Sequence, residues 1–503
     1  MNAFACSLAL AAGLAFSGPP PSTERVETIM QDDATLLYRP RAQVRRSLKR
    51  MARLGVDRVR ITARWGQVVP HREWEIRPFF DATDSSQYDA HALAKLDRAV
   101  KGARDEGMQV MLDLGFFAPR WAVTRPGRSG RDVWRPSPRE FARFSRAVAE
   151  RYSGGFPDPA HPARKLPAVR LWTTWNEPNH RVFLRPQWER VGGRWLPMTP
   201  HIYRRLHNVA YDQVKRVSGK NRVLIGGLAS FGDRGRGPAR GIGPLRFTRE
   251  LACVDARLRP LRRPECRGFA PLRADGFALH PYSFHTAPGD VAPIADRVQI
   301  GELSKLTGLL ARLEARGRFA QRLPLYMTEY GYQSDPPDPG GIDPALEARF
   351  SGQALELALS NPEVRSFPQF LLYDIGPDRS KPLGSRARNG GFQTGLYTYD
   401  GKPKPAVIQG FRLPFAATAI RDAEGRAGVE AFGQVRPGEG VQVVEIQRRD
   451  PNAGWVTQGC AFPTDGQGIY RRRLDYSGLG TYRARWVRSG GRFEPSAAVE
   501  VVD

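Results

Sequence analysis

Short apolar runs alternate with longer amphipathic segments along the first four fifths of the chain. A short apolar run is typical of a buried strand, and apolar residues spaced three and four apart are typical of a helix packed on one side. The predicted strands are residues 28–30, 56–61, 109–114, 169–174, 222–227, 276–279, 325–327 and 370–373. The predicted helices between them are residues 41–54, 89–106, 138–151, 201–217, 301–315 and 345–359.

Eight strand-then-helix units within residues 24–412 predict a (β/α)8 barrel, of the α/β class. An open nucleotide-binding sheet is disfavoured, because no glycine-rich phosphate-binding fingerprint follows any strand. The region 231–273 is rich in Arg, Gly and Pro, and is predicted to be one long loop after the fifth strand. From residue 413 the pattern changes to short alternating strands separated by turn residues, so residues 413–503 are predicted to be a small β-sandwich accessory domain.

The first residues of the chain predict export. Residues 1–17 carry no charge and have the apolar core and small residues of a secretory signal peptide, which indicates a secreted or cell-envelope protein. No other run is long and apolar enough to span a membrane. In an exported protein, Cys253 and Cys266 are close enough in sequence to form a local disulfide, which leaves Cys460 as a predicted unpaired cysteine.

Two predicted strands end in a glutamate that lies among aromatic residues. The fourth strand runs into Trp-Asn-Glu-Pro at residues 175–178, and the seventh runs into Thr-Glu-Tyr-Gly at residues 328–331. Side chains at the carboxyl ends of barrel strands converge on one pocket, where barrel enzymes build their active sites. Either glutamate alone is compatible with a solvated surface carboxylate, but the pair in matching positions predicts a site with two carboxylates.

These two motifs resemble the catalytic segments of the clan A glycoside hydrolases, most closely family 39 and the related family 5. The resemblance covers the barrel and implies a retaining glycosidase with Glu177 as general acid/base and Glu329 as nucleophile. It implies no metal and no organic cofactor. Cleavage of an acetal needs one protonated and one ionised carboxyl group about 5 to 5.5 Å apart, which a pair of glutamates in different surroundings supplies.

The resemblance also implies a set of residues that bind substrate. Asn176 matches the position that bonds the sugar 2-hydroxyl, and Arg60 matches the position that keeps the nucleophile ionised. His280 and Tyr282 match a pair that orients the nucleophile and lines the sugar subsite, although packed core residues explain them equally well. Aromatic residues near strand ends are candidate sugar platforms: Trp65, Trp121, Trp175 and, in place of the strand-eight Trp of many clan A enzymes, Tyr373.

The net charge of +26 changes the expected substrate. Residues 413–503 contain 12 basic and 11 acidic residues, so the excess belongs to the earlier part of the chain. The loops predicted after strands three, four, five and eight are positive, and those after strands two, six and seven are negative. This distribution favours an anionic polysaccharide as the glycan substrate.

Three other functions compete with glycoside hydrolysis. A nucleic-acid-binding protein would account for the charge, but the sequence contains no known nucleic-acid-binding module. A catalytically inactive carbohydrate-binding protein would use the same barrel, although both glutamates are present. A transglycosylase would use the same two residues. The accessory domain could bind glycans or brace the barrel.

Overall fold

The computed structural model describes residues 25–502 except 128–131, 383–384, 386, 422–423, 439, 476–477 and 489. The predicted signal peptide, residues 1–17, lies outside the described residues. Cys6 lies outside them as well.

Eight parallel strands close into a barrel. They are β1 (Glu27–Gln31), β2 (Arg58–Ala63), β3 (Gln109–Leu114), β4 (Leu171–Thr174), β5 (Arg222–Ala229), β6 (Gly276–His280), β7 (Leu325–Met327) and β8 (Val364–Phe370). Each strand pairs with its neighbours in chain order, and β1 pairs with β8 to close the ring. The predicted (β/α)8 barrel is therefore confirmed.

The eighth strand lies elsewhere than predicted. The apolar run at 370–373 suggested the strand, whereas β8 ends at Phe370 and contains Ser366, Pro368 and Gln369. The strand tolerates these residues because their side chains have hydrogen-bond partners. Ser366 donates to the Met327 carbonyl, and Gln369 donates to the Leu371 and Thr394 carbonyls. The polar residues interrupted the apolar pattern, so the prediction moved to the run that follows the strand.

Helices form the outer ring of the barrel. They are α1 (Asp33–Tyr38), α2 (Arg41–Arg53), α3 (Trp65–Val68), α4 (Ala90–Asp105), α5 (Pro138–Arg151), α6 (Thr199–Val217), α7 (Pro244–Leu251), α8 (Leu303–Glu314), α9 (Pro344–Leu359) and α10 (Pro405–Arg412). The prediction of a single long loop over 231–273 is wrong, because α7 lies within it. Asp89, Ser137 and Asp343 cap their helices through side-chain acceptors.

The interior of the barrel has an apolar lower layer and a polar upper layer. The lower layer is a separate buried cluster contributed by six strands: Ile29, Met111, Leu171, Leu224, Ala278 and Tyr326. Alternate residues of a strand share a face, so residues two positions further along four of these strands also point inward. Those residues are Gln31, Asp113, Thr173 and His280, all buried. The polar layer at the carboxyl ends of the strands is the floor of the candidate site.

Two antiparallel sheets follow the barrel. Their strands are β9 (Phe415–Arg421), β10 (Ala427–Gln434), β11 (Val443–Asp450), β12 (Gly454–Thr457), β13 (Phe462–Pro463), β14 (Ile469–Asp475), β15 (Gly480–Arg488), β16 (Arg492–Pro495) and β17 (Val499–Val501). Residues from both sheets form one buried cluster, including Val429 and Trp486. The sheets pack on the outer helices: Gln409 of α10 donates a hydrogen bond to the Pro495 carbonyl, 2.7 Å away.

The cysteine predictions have mixed outcomes. Cys253 and Cys266 form the predicted disulfide, which ties the end of α7 to the loop before β6. Cys460 is also disulfide-bonded and half-buried, so the prediction that it is unpaired is wrong. Among the helices of the described residues, none has the length and apolar character needed to cross a bilayer.

Candidate active site

Four barrel strands bring the predicted site residues together. Arg60 lies within β2, Glu177 follows β4 by three residues, His280 ends β6, and Glu329 follows β7 by two residues. Because all eight strands run parallel, these ends share one mouth of the barrel. The backbone N–H of Glu177 donates to the Gly227 carbonyl of β5 at 2.9 Å, which fixes the loop that carries the glutamate.

Arg60 is the hub of the site and is completely buried. Its guanidinium donates to Glu329 Oε1 at 2.5 Å, to Asn176 Oδ1 at 2.9 Å and to Asp113 Oδ2 at 3.1 Å, and it also bonds Gln31. Burial alone would lower the pKa of Arg60, but the two carboxylates outweigh burial and raise it. Arg60 therefore remains charged and holds Glu329 and Asn176 in fixed positions.

Glu177 occupies surroundings that favour its neutral form. Burial raises the pKa of Glu177 to about 7, and the opposing effects of His180 and Arg60 only partly offset it. Its Oε1 lies 2.9 Å from His280 Nδ1, and its Oε2 lies 3.6 Å from His180 Nδ1. Burial lowers the pKa of both histidines, that of His280 to about 4, so neither supplies a fixed positive charge. Glu177 can therefore carry a proton near neutral pH.

Glu329 has the opposite surroundings. Besides its bond to Arg60, it accepts a hydrogen bond from the Tyr282 hydroxyl at 3.3 Å, and its Oε2 lies 3.5 Å from His280 Nδ1. Burial raises the pKa of Tyr282, and its proximity to Glu329 and Glu177 raises it further, so its hydroxyl remains a donor. Glu329 is therefore held by a guanidinium and a phenol.

Close packing fixes the position of His280. Its Nε2 is buried without a hydrogen-bond partner among the described residues. A Cβ placed on Gly227 of β5 would lie only 2.1 Å from that nitrogen, so only glycine leaves room for the ring. The ring is thereby held where its other nitrogen faces both glutamates.

The three side chains at the centre are mutually close. Oxygen atoms of Glu177 and Glu329 and a ring nitrogen of His280 lie within 4.8 Å of one another. These atoms are near enough to bind one metal ion together. Arg60 already forms an ion pair with Glu329, and its positive charge disfavours a metal cation at the same carboxylate. The second close group of donors, His201 with Cys253 and Cys266, cannot offer thiolates because both cysteines form the disulfide.

The structure does not bring the predicted aromatic platforms to the carboxylates. Trp65 is buried against Phe141 and Phe144, and Trp121 packs edge-on to Trp65. Trp175 is also buried, and its indole N–H donates to the Phe183 carbonyl at 2.9 Å. Trp65 and Trp175 therefore lie in the protein interior, and Trp121 is half-buried against Trp65.

Tyr373 lies outside the site because β8 ends three residues before it. Its hydroxyl accepts a hydrogen bond from Arg50 of α2 at 2.8 Å, and its ring packs on Tyr397. Phe370, the last residue of β8, faces the Tyr282 ring with a centroid separation of 6.4 Å. Phe370 therefore takes the place that the sequence suggested for Tyr373.

Other residues of the site were missed from the sequence. Asp113 and Gln31 bind Arg60 from β3 and β1, and burial raises the pKa of Asp113 to about 7 although Arg60 opposes this. The sequence signal that could have revealed these two residues is a single polar residue near the end of an apolar strand.

His180 lies beside Glu177 and packs on Phe183 and Phe231. These rings give the rim next to Glu177 an aromatic surface.

Comparisons with known proteins show a similar overall arrangement in several glycosidases. A glucosidase from Croceicoccus marinus is 13% identical, with 91% of this chain and 94% of that chain covered and a TM-score of 0.47. A GH5_18 protein from Streptomyces cattleya, in complex with GlcNAc, is 17% identical over 77% of this chain and 80% of that chain, with a TM-score of 0.48. These values are too low to transfer an activity. No family model matches the chain, and no curated protein is similar to it in sequence.

Proposed function

We propose that the chain is a retaining glycoside hydrolase in which Glu177 is the acid/base and Glu329 the nucleophile. The observation that carries the proposal is the contrast between two neighbouring carboxyl groups. Glu177 is buried without a cation bonded to it, whereas Glu329 is bonded to Arg60 at 2.5 Å. One oxygen of Glu177 lies within 4.8 Å of one oxygen of Glu329, and so close an approach favours the retaining arrangement, whose carboxyl groups are about 5 to 5.5 Å apart, over the wider inverting one.

The first step forms a glycosyl ester. A Glu329 oxygen attacks the anomeric carbon while the bond from that carbon to the leaving oxygen breaks. The leaving oxygen takes the proton of Glu177, which therefore becomes ionised. Asn176 accepts from Arg60 through Oδ1, so its NH2 group is oriented to donate to the sugar 2-hydroxyl.

The second step returns the enzyme to its starting state. Water gives a proton to Glu177 and attacks the anomeric carbon, and the ester bond to Glu329 breaks. Formation of the ester removes the negative charge of Glu329, so the Glu177 anion no longer faces a neighbouring carboxylate and can act as a base. The Tyr282 hydroxyl, 3.3 Å from Glu329 Oε2, stabilises the carboxylate as it leaves.

An anionic polysaccharide of the cell envelope or the surroundings is the proposed natural substrate. Arg181, Arg234 and Arg236 are exposed on the loops after β4 and β5, on the same mouth of the barrel as the glutamates. Export through the N-terminal signal would bring the enzyme to such a polymer.

Transfer of the glycosyl group to a second sugar instead of water would use the same two glutamates. Comparing the release of free sugar with transfer to an added acceptor distinguishes hydrolysis from transglycosylation.

A panel of aryl glycosides tests the proposal. We expect hydrolysis of at least one 4-nitrophenyl glycoside, and a loss of about 10³-fold or more in kcat for Glu329→Gln. Glu177→Ala should lose activity on a poor leaving group such as methanol, yet retain the first step with 2,4-dinitrophenolate, which departs without a proton.

The leaving-group dependence separates the proposed roles from a general loss of structure. If Glu177→Ala and Glu329→Gln lose the same fraction of activity on every leaving group, the assigned roles are wrong. Binding of glycans without hydrolysis by the unaltered protein would instead support a carbohydrate-binding protein.

A further inference from the structure

A cavity of about 520 Å³ lies on the outer wall of the barrel, between α2 and α10. Its lining includes Arg46, Lys49, Arg50, Arg53, Arg412 and Tyr397, and contains no acidic residue. This is separate from the candidate active site, because the lining belongs to outer helices and to the segment after β8.

The cations of this cavity belong to an unusually basic helix. Helix α2 carries six basic residues and no acidic residue among its 13 residues. Every other barrel helix longer than ten residues contains at least one acidic residue: α4, α5, α6, α8 and α9. A coding preference for arginine would raise the basic count of all helices, but it does not explain why acids are missing from this one.

Most of these charges are open to solvent and unpaired. Arg46, Lys49 and Arg53 are exposed, and within the described part of the chain they form no ion pair. Arg412 pairs with Glu494 of β16 at the edge of the cavity. Repulsion among like charges on one helix face costs free energy, which a bound anion would relieve.

The aromatic ring that lines the cavity has a cation over its face. The Arg50 guanidinium lies 4.1 Å above the centre of the Tyr397 ring. Single-stranded nucleic acids bind strongly where bases stack on open aromatic faces, and Arg50 occupies this face of Tyr397. The surface therefore offers charge rather than stacking platforms.

We propose that the α2 surface, formed by Arg46, Lys49, Arg50 and Arg53, binds a carboxylate-bearing polysaccharide chain at a site separate from catalysis. The choice of a polysaccharide rests on the proposed function, since an enzyme that cleaves glycosidic bonds gains from holding its polymer on a second surface. Multivalent attachment raises the local concentration of glycan at the barrel mouth without adding contacts in the active site.

Binding of the full chain to polygalacturonate tests the inference, with dextran as the neutral polymer and a DNA duplex as the competing polyanion. We expect polygalacturonate to bind at 50 mM NaCl and to weaken at least tenfold at 300 mM NaCl, because salt screens exposed charges. Dextran should not bind. The triple variant Arg46→Gln, Lys49→Gln and Arg53→Gln should bind polygalacturonate at least tenfold more weakly than the unaltered chain.

A matched variant controls for the change in net charge. Arg164, Lys165 and Arg312 are exposed on other parts of the surface, and replacing all three with Gln should change the affinity less than twofold. Both triple variants should hydrolyse a 4-nitrophenyl glycoside at the same rate as the unaltered protein. Hydrolysis therefore tests the proposed catalysis, and polymer binding tests the α2 surface. Equal binding by the α2 variant, or tighter binding of the DNA duplex than of polygalacturonate, would overturn the inference.

Discussion

At the residue scale, the position of Arg60 governs the site. Arg60 is bonded to Glu329 and Asp113, whereas the oxygens of Glu177 lie beside the rings of His280 and His180. Two carboxyl groups of the same chemical type therefore have different neighbours, and burial raises the pKa of Glu177 to about 7. In the proposed mechanism this difference gives the acid role to Glu177 and the nucleophile role to Glu329.

The pH dependence follows from the raised pKa of Glu177, which burial shifts to about 7. The first step needs its protonated form, so kcat/KM should fall as pH rises through about 7, approaching tenfold per pH unit. A pH series with a 4-nitrophenyl and a 2,4-dinitrophenyl glycoside checks this. The alkaline loss should be much weaker for the second substrate, and an equal loss with both would contradict the assignment of the proton to Glu177.

At the element scale, the barrel strands position the site through their register. The sequence was sufficient for strands formed mainly by an unbroken apolar run, such as β3 and β7, which match their predicted bounds. It was insufficient for β8, whose polar residues bond neighbouring backbone, and this error placed Tyr373 in the site instead of Phe370. Contacts between distant strands, such as Asp113 with Arg60, depend on barrel register and leave little trace in a single sequence.

The close approach of β5 to β6 has a testable consequence. In Gly227→Ala the new methyl group would meet His280 Nε2, so the ring must move away from Glu177. We expect kcat to fall about 10- to 100-fold. Gly308→Ala in α8, where the new methyl group would lie 3.8 Å from the Arg312 guanidinium, should leave kcat unchanged.

A double variant separates displacement of the ring from general damage. Gly227→Ala should cost nothing further in a His280→Ala background, because the clashing ring is gone. An additive loss in the double variant would show that Gly227 matters for another reason.

At the scale of the whole molecule, the two C-terminal sheets pack against the barrel through α9 and α10. A Cβ on Gly352 of α9 would lie 2.0 Å from the Phe415 carbonyl oxygen of β9, so helix and strand touch through backbone. Arg412 of α10 pairs with Glu494 of β16. These contacts support a bracing role for the sheets, one of the two roles that the sequence left open.

A substitution at the contact tests how firmly the parts are joined. Gly352→Ala should lower the free energy of unfolding by about 1–3 kcal/mol, because the methyl group cannot fit without moving β9. The effect should appear in thermal unfolding, with Gly308→Ala as the control. A melting temperature equal to that of the unaltered chain would contradict direct packing of α9 on β9.

Glu329 and Glu177 are proposed to cleave a glycosidic bond by double displacement, and one oxygen of each lies within 4.8 Å of the other. The configuration of the first-formed sugar distinguishes double displacement from a single displacement. Proton NMR during hydrolysis of the best substrate in the aryl glycoside panel distinguishes the two anomers before they interconvert. We expect a first product with the same anomeric configuration as the substrate, and a first product of inverted configuration would rule out double displacement.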